Sequence, residues 1–288
     1  MHTNNTIIES QVDWLTATRS SELRDPFWEW LQVRLLREEA EKGNEQEKWA
    51  GNGYIGTRCG RFRAGSSTQG ELVILSGDLA SKHLATLLPL CTNISRIDLA
   101  VTVRLPVGYA DLERALYDVA KQNLDLHSVP YRRANLITSS DGGATLYVGG
   151  RSSECFLRVY NKGVESLNDP RYKNCHRAEL ELKGATAFST ARMLVGAPDQ
   201  HMMVRDMVST RLNGWKLPAF WDHGQQLKLE SGFSRRTDAS SRLRWLREQV
   251  RPAVTWLREA GFENEVDAAL AADAEEQSLG LEDGRKEE

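Results

Sequence analysis

Arg158, Tyr160 and Lys162 occupy every second position of the run Phe156-Leu157-Arg158-Val159-Tyr160-Asn161-Lys162. Side chains two apart share one face of a β-strand. The three therefore point one way, and Leu157 and Val159 the other. A phenol between two cations could attack a phosphodiester, with the cations balancing charge on a pentavalent phosphorus. Two further runs alternate in the same way. Over residues 96–103, Ile97, Leu99 and Val101 form the apolar side, and Arg96, Asp98 and Thr102 face away. Over residues 176–183, Ala178, Leu180 and Leu182 are apolar, and Arg177, Glu179, Glu181 and Lys183 face away. If these strands are neighbours, one sheet surface gathers carboxylates, cations and a tyrosine. Carboxylates so placed can hold Mg²⁺ or Mn²⁺. Each strand alone reads better as half-exposed sheet with cross-strand charge pairs. The conjunction of three favours chemistry.

The elements that must position these residues follow from pattern. Residues 7–18 contain a first strand. Residues 21–42 read as an amphipathic helix with Ser21 as N-cap, apolar Phe27, Trp30, Leu31, Leu35 and Leu36, and Gly43 as a stop. Residues 51–77 are glycine-rich with short β-like runs, which predicts hairpins. Helices are expected over 78–90 and 109–122. A hairpin joins 146–148 to 154–161, with 176–183 as another strand. One or two helices span 186–211, broken near Gly196-Ala197-Pro198, and further helices cover 240–259 and 263–276. This order predicts an α+β fold, a central mostly antiparallel sheet backed by helices, with a helical C-terminal segment. The faint likeness of Val12-Asp13-Trp14-Leu15 to Ile97-Asp98-Leu99-Ala100 raises an internal duplication. The domain organisation expected is 1–232 catalytic, 233–276 helical, and 277–288 a disordered acidic tail.

The 288 residues allow one large domain or two smaller ones. No apolar run approaches the roughly 20 residues that span a bilayer. The first residues lack the basic and apolar regions of a secretory signal, so a cytoplasmic location without membrane contact is expected. Four scattered cysteines without a CxxC pair read as reduced thiols. The net charge of −3 conceals an asymmetry: residues 263–288 hold ten acidic and two basic residues, leaving 35 basic against 30 acidic in the body. A mildly basic body suits a polyanionic partner.

The segment 145–165, with its Arg-x-Tyr-Asn-Lys-x-x-Glu run, resembles the replication initiation factor (Rep_trans) family. Asp13-Trp14-Leu15, residues 95–100 and residues 177–180 extend the resemblance, in the family's order, over roughly residues 10–215. It implies rolling-circle replication of plasmids or filamentous phages, or the work of a conjugative relaxase. Tyr160 matches the nucleophilic tyrosine, and Asp98 and Glu179 match acidic metal positions, with Glu181, Arg158, Lys162 and Glu165 as supporting groups. The implied reaction is metal-dependent (Mg²⁺ or Mn²⁺) nicking of single-stranded or extruded origin DNA. It forms a 5′-phosphotyrosyl link and frees a 3′-OH, without ATP. Nearby cations are expected to favour the phenolate. A host helicase and DNA polymerase are implied partners, and a homodimer is among the expected states. The second nucleophile for closure is open between Tyr160 of a second protomer, Tyr172 and water.

Gly51-Asn52-Gly53-Tyr54-Ile55-Gly56 matches GxGxxG, but neither a strand before it nor a helix after it is expected, so turn-forming glycines are the better reading. The six histidines form no His-x-His pair, which argues against a two-histidine metal site; His176, at the start of the third polar strand, could be a ligand but reads better as a surface residue. Arg235, Arg236, Arg242 and Arg244, beside Trp245, read equally as DNA-binding residues and as a solvated helix face. Two other classes stand against the enzyme. A noncatalytic origin-binding protein or repressor would bind without an adduct, and an unrelated α+β protein with a charged sheet face would show no DNA preference.

Overall fold

The computed structural model describes residues 6–20, 26–68, 70–106, 111–125, 133–140, 142–167, 169–221, 251–259, 261–264 and 266–267. The chain divides into two compact units, 1–232 and 233–288. The first is built on one ten-stranded antiparallel sheet in the order β2-β3-β4-β5-β1-β6-β10-β9-β8-β7. Its strands are β1 (Thr6–Arg19), β2 (Gln46–Gly51), β3 (Tyr54–Cys59), β4 (Phe62–Ser67), β5 (Gly70–Ser76), β6 (Asn93–Arg104), β7 (Ala134–Thr138), β8 (Ala144–Val148), β9 (Cys155–Asn161) and β10 (Cys175–Lys183). Its helices are α1 (Pro26–Glu41), α2 (Asp78–Leu87), α3 (Leu112–Asp125), α4 (Lys162–Glu165), α5 (Gly184–Gly196) and α6 (Gln200–Gly214). The fold is α+β, as the pattern predicts. In the second unit, α7 (Arg251–Glu259) is the described helix.

The element order repeats. A long strand, a helix, a four-stranded meander and a helix occur twice: β1-α1-β2-β3-β4-β5-α2, then β6-α3-β7-β8-β9-β10-α5, with the small α4 added. In each half the last meander strand pairs with the long strand, and the two long strands pair antiparallel at the sheet's centre. This is the topology of an internal duplication, with β1 and β6 as equivalent strands. Val12-Asp13-Trp14 and Ile97-Asp98-Leu99 then meet across the central pair, where Val12 opposes Leu99 and Trp14 opposes Asp98.

One sheet face is apolar. Leu15, Ile97, Leu99, Val101, Leu146, Leu157, Val159, Ala178 and Leu180 are all at most 1% exposed, and they share a core with Leu79 and Leu84 of α2, Ala187 and Leu194 of α5, and Val204 and Val208 of α6. Each fully buried leucine contributes about 2 kcal/mol. That face fixes the register: a one-residue slip would drive the charged residues into the core.

Several expectations are corrected. Helix α1 starts at Pro26, a residue suited to the first helical position; Ser21 lies outside the described residues. Its buried stripe is Trp28, Leu31, Leu35 and Glu39, whereas Phe27 and Trp30 are exposed. Residues 46–51 before the GxGxxG run do form a strand, but another strand follows, and Asn52 and Gly53, both at positive φ, make the hairpin turn. Strand β7 has no counterpart in the expected elements. His176 is buried, not at the surface: its Nε2 lies 2.8 Å from Glu113 Oε1 of α3, without hydrogen-bond alignment. Cys59, Cys91, Cys155 and Cys175 form no disulfide among the described residues.

Candidate active site

The three alternating strands are neighbours, in the order β6-β10-β9. Glu181 opposes Asp98, Glu179 opposes Arg158, and Arg177 opposes both Thr102 and Tyr160. Because direct partners share a sheet face, these side chains converge. They are more buried than a half-exposed sheet would leave them: Asp98, Arg177, Glu179 and Glu181 are all buried. Burial at this level demands partners, and the partners are the arginines. Arg96 grips Asp98 with two bonds, Nε to Oδ1 at 2.8 Å and Nη2 to Oδ2 at 2.6 Å, and reaches Glu181 Oε2 at 2.8 Å. Lys183 holds the other oxygen of Glu181 at 2.7 Å. Arg158 Nη2 stands between Glu179 Oε2, at 2.6 Å, and Asp98 Oδ2, at 3.3 Å. Its Nε is buried without an acceptor among the described residues.

Tyr160 donates its hydroxyl to Glu179 Oε1 at 2.5 Å. Burial first, then the charge of Glu179, pushes the phenol far above its ordinary range, and Arg177 only partly offsets this. The expected phenolate is therefore corrected: the phenol is held protonated, in contact with a base. Lys162 is corrected too. Strand β9 stops at Asn161, whose side chain caps α4, so Lys162 opens a helical turn and does not share the strand face. Its ammonium nevertheless lies 5.9 Å from the Tyr160 ring centre and pairs with Glu165 at 2.6 Å.

These groups border a cavity of about 610 Å³. Trp14, Arg96, Asp98, Tyr147, Arg158, Tyr160 and Glu179 supply its sheet floor, and the β7–β8 turn and α4 its rim. Trp14 has the guanidinium carbons of Arg96 and Arg63 at 4.9 and 5.2 Å from its ring centre. Tyr147, opposite Arg158, stacks on Phe156 with ring centres 5.6 Å apart. A second cluster adjoins. Arg177 bonds Glu9, Asp13 (3.2 Å) and Thr102 (2.7 Å), and Tyr172 donates to Glu9 at 2.7 Å. Sequence reasoning assigned no role to Glu9 or Asp13. Glu9, Gln11 and Asp13 alternate, and Glu9 and Asp13 both meet Arg177; the ladder with β6 slips between Val12 and Trp14, a bulge that brings Trp14, opposite Asp98, onto the same face. Arg235, Arg236, Arg242 and Arg244 lie outside the described residues.

The oxygen chemistry of Asp98, Glu179 and Glu181 suits a hard divalent ion, but their arrangement does not. Guanidinium nitrogens stand between Asp98 and Glu179 and between Asp98 and Glu181, and no three ligands converge among the described residues. Replication initiators are in general metal-dependent; an ion between Asp98 and Glu179 would have to displace Arg158.

Burial raises Asp98 to about 6 from 3.8, outweighing Arg96 and Arg158. A raised carboxyl favours the neutral form in the folded state. Its stabilisation is complete below the unfolded value and is lost as pH rises through about 6. At 1.36 kcal/mol per unit this amounts to about 3 kcal/mol. Relative to Asp98→Asn, which cannot titrate, wild type should lose that much stability between about pH 4 and 7 in EDTA. Denaturant melts of both proteins across pH test this, and a constant difference would refute it.

No curated protein sequence matches the chain. Among solved structures, the rolling-circle replication initiator protein of Geobacillus stearothermophilus is similar in fold, with a TM-score of 0.51 and 21% identity over 71% of this chain and 84% of that one. The replication initiation factor model matches residues 92–269, which run from β6 through the strands carrying Asp98, Tyr160 and Glu179 and into the second unit. On that match the chain belongs to the replication initiation factor family.

Proposed function

We propose that this protein initiates rolling-circle replication by nicking and rejoining origin DNA, with Tyr160 as the nucleophile. The observation that carries the reading is the Tyr160 hydroxyl donating to Glu179 at 2.5 Å beside a cavity whose floor carries the guanidinium groups of Arg96 and Arg158. A protonated phenol is a poor nucleophile and needs a base within hydrogen-bond reach. As Tyr160 Oη bonds the scissile phosphorus, its proton passes to Glu179 Oε1. The bond from phosphorus to the 3′ oxygen breaks, and that oxygen takes a proton from solvent. The products are a 5′-phosphotyrosyl link and a 3′-OH that can prime synthesis. The link conserves the energy of the broken bond, so neither nicking nor rejoining needs ATP.

Arg158 is held between Glu179 and Asp98 at the cavity floor, where its charge balances the developing negative phosphorane. Lys162 serves as a peripheral cation beside the Tyr160 ring. The setting proposed is the cytoplasm, with single-stranded or extruded origin DNA as substrate and a host helicase and polymerase following. Among the described residues no helix is long and apolar enough to cross a membrane. The same chemistry would serve a conjugative relaxase, which differs in the DNA it is given.

The test mixes the protein with supercoiled DNA bearing its replicon's origin, with Mg²⁺ or Mn²⁺, and quenches with SDS. Nicked circles carrying protein on the 5′ end are expected. Origin binding with no nick or adduct, across several divalent ions and on single-stranded origin DNA, would make it a noncatalytic origin-binding protein or repressor instead.

A further inference from the structure

A second cavity, of about 550 Å³, adjoins the one that Tyr160 borders, and Tyr147 lines both. Its walls include the stacked pair of Tyr147 and Phe156, with ring planes 20° apart and centres 5.6 Å apart. The Arg151 guanidinium lies 5.9 Å from one ring centre and 6.0 Å from the other. Arg151 belongs to the turn between β8 and β9, which Lys183 of β10 anchors by donating to the Arg151 carbonyl. Arg133, just before β7, and Asn135, opposite Tyr147, line the same cavity, and both are exposed. Around Tyr160 the cations Arg96, Arg158 and Lys162 each hold a carboxylate. Among the described residues Arg133 and Arg151 hold none. Arginines free of acids beside a stacked aromatic pair suit a ligand that joins phosphates to flat rings, which is single-stranded nucleic acid. The register sets the reach. Tyr147 opposes Arg158, and Thr145 opposes Tyr160, so Tyr147 and Tyr160 are diagonal neighbours, about 7–8 Å apart between Cα atoms.

We infer that this second cavity binds one unpaired nucleotide of the origin strand beside the scissile phosphate. Its base stacks on the Tyr147–Phe156 pair, and Arg151 and Arg133 meet the adjoining phosphates. The inference rests on the reading of Tyr160 as nucleophile. Tyr147 is then a positioning residue: it fixes the register of the strand, so that one phosphate and not its neighbour lies against Tyr160 Oη. Asn135 presents an amide, both donor and acceptor, on the same sheet face as Tyr147, where a base edge would lie.

The experiment uses the full chain in EDTA, which arrests metal-dependent nicking, and labelled single-stranded oligonucleotides carrying the nick site. Each oligonucleotide lacks one base, at successive positions on either side of the nick. In wild type one missing base should weaken binding about 10- to 100-fold, the scale of one base stacked on an aromatic ring. Tyr147→Leu should weaken binding of the intact oligonucleotide by a similar factor and erase the effect of that one missing base, while the other positions keep theirs. Tyr147→Phe keeps the ring and should bind as wild type does. Arg151→Gln should flatten the slope of log affinity against log salt by about 0.7, the share of one single-strand phosphate contact. The same missing-base pattern in Tyr147→Leu as in wild type would overturn the inference. So would a Tyr147→Phe protein as weak as Tyr147→Leu, since the ring is then not what binds. The Tyr160 adduct, read with Mg²⁺ on intact origin DNA, separates the two readings. An adduct in wild type with an unchanged pattern in Tyr147→Leu sinks the stacking site alone. No adduct in wild type sinks the nucleophile reading, and this inference with it.

Discussion

Tyr160→Phe should abolish the SDS-stable DNA adduct and reduce nicking at least about 10⁴-fold, the scale set by removing a nucleophile. The substitution removes one oxygen. The ring stays beside Lys162, and the strand keeps its register through Leu157 and Val159 in the core. Glu179 loses the 2.5 Å bond from the phenol but keeps Arg158 at 2.6 Å, so it is not left as an unpaired buried charge. The stability cost should be about 1 kcal/mol, the usual net value of one hydrogen bond. A thermal melt and an SDS gel on the same preparation separate loss of chemistry from loss of fold. An undiminished adduct would move the role elsewhere. Tyr147 lines the same cavity, but its ring stacks on Phe156 and no carboxylate accepts from it among the described residues. Tyr172 has such a carboxylate, in Glu9, but does not line that cavity.

The period-two alternation is what made the site legible. It assigned Asp98, Arg158, Tyr160, Glu179 and Glu181 to one face, and a buried apolar face leaves no freedom in that assignment. Alternation says nothing about which strand lies beside which, so the neighbourhood β6-β10-β9 came only with the structure. Three kinds of information were hidden. Lys162 was misread because a strand's end depends on a cap: the Asn161 side chain accepts from Val164 N and turns the chain into α4. Trp14 was obscured by a bulge, which puts it on the same face as Asp13 and breaks the period that the reading relies on. The carboxylates' partners were invisible because an arginine's long side chain reaches across strands. Arg96 bonds both Asp98 on its own strand and Glu181 on the next, and no local pattern encodes that choice. The faint likeness of β1 to β6 was a truer signal than its few residues indicated, because the repeated topology places those segments against each other. The two halves differ in the residues they carry. The second half presents Tyr160 two residues after Arg158 in its third meander strand, whereas the equivalent strand of the first is Phe62-Arg63-Ala64-Gly65-Ser66-Ser67, with no phenol.

Glu179→Gln carries the second large expected effect, and its pH dependence separates a base from a mere support. The amide can still accept from Tyr160 Oη and occupy the same volume, but it cannot take the proton. General-base removal of this kind should lower nicking about 10²- to 10⁴-fold at neutral pH. The Tyr160 phenol is pushed up by burial and then by the Glu179 carboxylate, so losing that charge should bring it down toward its ordinary value. Residual nicking by Glu179→Gln should then rise about tenfold per pH unit on the alkaline side, as phenolate forms by direct ionisation. Wild type, with a base in contact and a phenol held further up, should show no such rise over the same range. Arg158 would lose one of its two charged partners while keeping Asp98 at 3.3 Å, so some destabilisation is expected, and rates must be compared below the melting transition of each protein. Parallel pH profiles for the two proteins would refute the base role, because a residue that only positions the ring changes the height of the profile and not its slope. If the slope appears, the proton's route from Tyr160 to Glu179 is established by a measurement that does not depend on how strongly either protein binds DNA.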